Sequence, residues 1–129
     1  MAELNFKQII YGGMVAIAGV DGEVDKKEIK WVNKVFNHDF NMSRKERKDV
    51  LEKWENNKDG FTDLVCEELS AFPQFDQREA YKRISQFILF RNEEYNKSMK
   101  ARPAGIDPEK EQLNRYRERA TYMKSKLKI

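Results

Sequence analysis

The chain has 129 residues, 40% of them hydrophobic and 36% charged, with a formal net charge of +3 at neutral pH. That is enough for one domain around one core, and it excludes an intrinsically disordered chain. No run approaches the ~18–20 continuous apolar residues of a membrane span, and the single cysteine, Cys66, excludes an internal disulfide.

Residues 1–7 lack the basic region, apolar core and small-residue cleavage site of a signal peptide. Together with a lone cysteine, this points to a reducing compartment. Apolar residues recur at helical spacing along the chain while alternating runs are absent, so the expected fold is all-α, a single compact bundle of about six helices. The first helix is predicted over about residues 5–20, with Phe6, Ile9, Ile10, Met14 and Ile17 on one face. Gly12, Gly13, Ala16, Ala18 and Gly19 would let a neighbouring helix approach closely. Each glycine costs about 1 kcal/mol of helix propensity, so tertiary packing must hold this helix.

An acidic turn follows, Asp21-Gly22-Glu23. Gly22 can adopt the positive φ that ends a helix. Val24 can staple onto the next helix, Asp25 is its natural N-cap, and Glu28 three residues on can complete a capping box. These roles leave Asp21 and Glu23 as spare carboxylates. The second helix is predicted over 26–37, burying Ile29, Val32, Val35 and Phe36, with Trp31 at its edge and His38-Asp39 in the loop beyond.

Small-residue helix, Asp-Gly-acid turn, hydrophobic residue, aspartate cap and glutamate, over about residues 1–40, together resemble the TerB-like (tellurite-resistance) helical domains. The resemblance implies an all-α fold, a role in tellurite and envelope-stress response, a cytoplasmic location sometimes near the membrane, and an acidic surface. It also implies two such helix–turn–helix elements related by approximate two-fold symmetry.

Ser43 and Glu46 form a second capping box, opening a third helix to about residue 54 with Val50, Leu51 and Trp54 inward. Residues 55–60 form a turn. Tested as a calcium loop, this turn would start on Glu55 and place Asn57, Asp59 and Asp63 at ligand positions, but Cys66 would stand where a bidentate glutamate is needed. It is therefore read as a plain connection. A fourth helix spans about 61–71 and stops before Pro73. Asp76 and Glu79 suggest a third capping box, opening a fifth helix to about residue 95 with Ala80, Ile84, Phe87, Ile88 and Tyr95 inward. Residues 97–106 form an inserted loop. The sixth helix begins after Asp107 with Pro108 in first position, and Leu113, Tyr116, Ala120, Met123 and Leu127 mark its apolar stripe. Ile106-Asp107 faintly echoes Val24-Asp25, each following an apolar helix that ends near Val20 in one case and Phe90 in the other. In the second copy Lys110 stands where Glu28 stands in the first.

Charge is unevenly distributed. Residues 1–96 hold 15 basic and 18 acidic side chains, whereas 97–129 hold 10 and 4. An acidic-leaning body thus carries a basic C-terminal helix, in which Arg115, Arg119 and Lys126 fall on roughly one side. The carboxylates Asp21, Glu23, Asp25 and Glu28 are the candidate metal ligands. An oxygen-only set suits calcium or magnesium, held weakly, with affinity on the order of 10⁻⁴ to 10⁻³ M. With one cysteine and one histidine there is no zinc set. No phosphate-cradling glycine loop, nucleophile elbow or metalloprotease helix is present.

The expectation is a non-enzymatic stress-response or scaffold domain of residues 1–129. Its acidic turn would bind a divalent cation or a basic partner, with a protein as the expected partner. The alternative is a protein-interaction module docking an acidic partner on Arg115, Arg119 and Lys126. Nucleic acid is not expected, and peripheral membrane association is compatible with the basic helix.

Overall fold

The computed structural model describes residues 4–98 and 108–129. Six helices follow in order: α1 (Phe6–Ala18), α2 (Lys26–Asp39), α3 (Arg44–Asn56), α4 (Phe61–Ser70), α5 (Gln74–Ser98) and α6 (Pro108–Leu127). There is no strand among the described residues. No helix among them is long and apolar enough to cross a membrane.

The bundle is organised around α1. From Ile9 to Gly19 the sequence has no charged residue, and every residue from Gln8 to Ala18 is buried. The expected one-sided stripe is therefore a helix covered all round, because α2, α3, α4, α5 and α6 each pack on it. Its missing side chains make this possible. A Cβ on Gly13 would stand 2.2 Å from Ile84 Cδ1 of α5, and one on Gly19 would stand 2.4 Å from the Trp54 ring of α3. The Tyr11 hydroxyl donates to Asn33 Oδ1 of α2 at 2.7 Å, so the one phenol in this apolar helix is satisfied.

The three capping boxes at the N-termini of α1, α2 and α3 are local and well formed. Asn5, Asp25 and Ser43 accept from the backbone N–H three residues on, and Gln8, Glu28 and Glu46 reach back. The fifth helix departs from the sequence reading. It starts at Gln74, two residues before Asp76, and Asp76 lies in its first turn. Gln77 accounts for the shift: its side chain donates to the carbonyls of Ser70 (3.3 Å) and Phe72 (2.8 Å), tying the end of α4 to the start of α5. At its other end α5 runs unbroken through Arg91, Asn92 and Glu93 to Ser98. It does not end near Phe90, as the internal echo required. Of the expected inserted loop, residues 99–106 lie outside the described residues, as does Asp107.

His38 and Asp39 belong to the last turn of α2 rather than to a loop. Cys66 is 2% exposed and burial pushes its thiol up to about 11, the behaviour of a packing residue. The turn after α3 is closed by the Asn57 side chain, which accepts from the Gly60 N–H at 3.2 Å.

The link from α1 to α2 turns at Gly22, whose φ is +92° and around which there is open space. Alanine there meets no neighbour but must adopt a left-handed conformation. Gly22→Ala is expected to cost about 1 kcal/mol, measured by urea denaturation, with the bundle otherwise unchanged.

Candidate functional site

The acidic turn joins α1 to α2, and the chain distributes its four carboxylates differently from their even spacing in sequence. Asp21 Oδ1 accepts from the Glu23 N–H at 3.3 Å, a local turn bond. Glu23 is exposed and does not line the adjoining cleft. Asp25 caps α2, accepting from the Glu28 N–H at 2.8 Å. Glu28 is turned inward and only 8% exposed, while Ile29, the expected core residue, is half-buried.

Glu28 is held by two donors. Its Oε1 accepts from the Asp25 N–H at 3.4 Å, and its Oε2 accepts from the Tyr116 hydroxyl of α6 at 3.1 Å. The Gln112 side chain in turn donates to the Tyr116 oxygen at 3.4 Å. Burial pushes the Glu28 carboxyl up to about 6 from an ordinary 4.5, and this outweighs the downward pull of its two hydrogen bonds. The negative charges of Asp25 and Asp21 push in the same direction as burial. Burial likewise pushes the Tyr116 phenol up to about 12.

Around this pair lies a cleft of about 250 Å³ between the start of α2, the C-terminal half of α5 and the start of α6. Asp21, Asp25 and Glu28 contribute carboxylates, and Trp31, Tyr95 and Tyr116 contribute aromatic surface. Arg91 and Lys27 bring positive charge. The Arg91 guanidinium stacks on the Trp31 ring at 3.3 Å, and the Lys27 ammonium lies 5.1 Å from that ring's centre. Arg91 Nε is buried without a hydrogen-bond partner. Trp31 thus already carries a cation from within the chain.

Of the four candidate metal ligands, the fold brings Asp21, Asp25 and Glu28 to one cleft and leaves Glu23 outside it. Among the described residues no group of three or more His, Cys, Asp or Glu side chains is placed to hold a metal ion. The physical reason is that Asp25 and Glu28 aim their oxygens at helix-capping amides and at Tyr116 rather than at a common point.

The basic helix is also divided. Arg119 is half-buried and donates to Thr62 Oγ1 and, at 3.5 Å, to the Ala16 carbonyl, joining α6 to α4 and α1. Lys126 pairs with Asp63 at 3.4 Å, and Asp63 also accepts from the Tyr122 hydroxyl at 2.6 Å. Arg115 is exposed. Two of these three cations therefore hold α6 onto the bundle.

The cleft residues that the spacing argument passed over are Trp31, Arg91, Tyr95, Gln112 and Tyr116. One signal for them was present. Ile84, Phe87, Ile88, Arg91 and Tyr95 recur at spacings of three and four, so Arg91 is the one charged residue on the inward stripe of that stretch of α5.

Comparison with protein-family models, with curated proteins and with solved structures finds no match for this chain.

Proposed function

We propose that the chain is a non-enzymatic helical binding domain whose cleft beside the acidic turn receives a cationic group, foremost a lysine or arginine side chain of a partner protein. The observation that carries this reading is the composition of the cleft: three carboxylates, Asp21, Asp25 and Glu28, share it with the aromatic surfaces of Tyr95 and Tyr116, while the Trp31 ring is taken by Arg91. Carboxylates beside rings suit an organic cation, which gains both ion pairing and ring contact. A bare calcium or magnesium ion needs six or more converging oxygens and is the weaker form of the proposal.

The TerB-like resemblance adds the setting: a scaffold acting in the tellurite and envelope-stress response, in the cytoplasm. Docking of an acidic partner on α6 is less favoured, because Arg119 and Lys126 already have partners within the chain.

The test is amide NMR with short arginine- and lysine-containing peptides, then calcium and magnesium. Shifts confined to the turn, Trp31 and Gln112, and lost in Asp21→Asn with Glu28→Gln, are the expected result for the peptides. Absence of shifts at millimolar peptide, the order of magnitude expected of a weak site, defeats the proposal. Shifts with calcium alone would favour the cation form.

A further inference from the structure

A second concavity lies beside α2, further along that helix, and nothing in the acidic-cleft reading uses it. The antiparallel helices α2 and α5 meet through cations laid on rings: Lys34 over Phe90 at 5.3 Å and Arg83 over Phe40 at 5.9 Å, besides Arg91 over Trp31. Beside this seam lies a groove of about 320 Å³, with Val35, Leu89 and Phe90 supplying apolar surface. Leu89 is 54% exposed, one of the few large apolar side chains left in water.

We infer that this α2–α5 groove is a docking site for an acidic amphipathic helix of a partner protein. The charge around it selects that occupant. Lys34 lines the groove, Lys30 lies one turn before it on α2, and Lys82 lies one turn before Gln86 on α5, all three exposed. Glu93 is the one carboxylate among the described residues lining it. A partner helix with apolar residues at i, i+3 or i+4, and i+7 would set them on Leu89, Val35 and Phe90. Acidic residues on its edges would meet the lysines. On α2 the groove runs from Lys34 to His38 and on α5 from Gln86 to Glu93, a seat of about 10 Å, or two helical turns, which is the span from i to i+7. Nucleic acid lacks a stacking platform here, because the Phe90 ring already carries Lys34.

The test is a displayed library of helical peptides of about 16 residues, long enough to cover the two-turn seat with a turn beyond each end, selected on the whole chain and counter-selected on Leu89→Asp. The expected survivors carry an excess of aspartate and glutamate beside a leucine or phenylalanine stripe. Their affinity should fall at least about tenfold on Lys34→Glu and stay unchanged on Asp21→Asn, which separates this groove from the acidic cleft. Should Leu89→Asp lose helical circular dichroism, Leu89→Gln replaces it. The inference is overturned by neutral or basic survivors, by survivors indifferent to Lys34→Glu, or by none that depend on Leu89. Self-association of the wild type that Leu89→Asp abolishes overturns it too, as does binding to RNA or anionic vesicles that Lys34→Glu abolishes.

Discussion

Gly13→Ala is expected to destabilise the bundle by about 2 kcal/mol, although alanine in place of glycine should favour an isolated helix by about 1 kcal/mol. The added methyl would stand 2.2, 2.6 and 3.2 Å from Ile84 Cδ1, Cγ1 and Cγ2. Rotating Cδ1 away does not clear the other two carbons, and Ile84 is fully buried with no space to retreat into. Overpacking of this kind costs about 1–3 kcal/mol beyond any propensity gain. The check is a double-mutant cycle in urea. Ile84→Ala alone should cost about 2–5 kcal/mol through the cavity it leaves. In the Gly13→Ala background it should cost about 1–3 kcal/mol less, because the new methyl enters that space. Additive costs would mean that α1 and α5 do not touch at this point.

The second large effect concerns Glu28 and Tyr116. A carboxyl raised from 4.5 to about 6 by folding binds its proton more tightly in the native state than in the unfolded chain. Below pH 4.5 it is neutral in both states and the native protein keeps the full contribution. Between about 4.5 and 6 the unfolded chain releases its proton first, so stability falls as pH rises. Above 6 the loss is complete, about 2 kcal/mol at about 1.4 kcal/mol per unit. Glu28→Gln retains a side chain able to complete the capping box and to meet Tyr116 but cannot ionise. Measured from pH 4 to 8, this variant should gain on the wild type as pH rises through the window from 4.5 to 6. Part of the gain will be offset by the lost negative charge at the helix N-terminus, about 0.3–1 kcal/mol.

Tyr116→Phe should do the reverse. It removes a donor from a buried carboxylate, costing about 2 kcal/mol at pH 8 and about 1 kcal/mol at pH 4.5, where the carboxyl is neutral in the native state. Parallel pH profiles for the wild type and both variants would show that the carboxyl is not held by this contact.

The helices were legible in the sequence to within a few residues, and so were the capping boxes at Asp25 and Ser43; the box at Asn5 was passed over, and Asp76 lies inside the first turn of α5 rather than at its cap. Caps depend on three or four neighbouring residues and are therefore written locally. The inward stripes of α5 and α6 were legible for the same reason: Ile84 and Phe87, or Tyr116 and Met123, lie where a helical period places them. The inward turn of Glu28 was not, because its partner is the Tyr116 hydroxyl, 88 residues away. Nor was the early start of α5, which rests on Gln77 reaching the carbonyls that end α4. A count of charges along α6 suggested a basic contact surface, but charge alone does not reveal that Arg119 points to Thr62 and Lys126 to Asp63.

The burial of α1 on every side bears on how the chain is made. Synthesis proceeds at about 5–20 residues per second, so this uncharged segment leaves the ribosome well before α5 and α6, which complete its covering. For several seconds the most apolar helix of the chain is the one with the fewest neighbours to shield it. During that interval its apolar surface lacks part of its covering, and the late-made α6, tied down through Tyr116 and Arg119, is the last element to close over it.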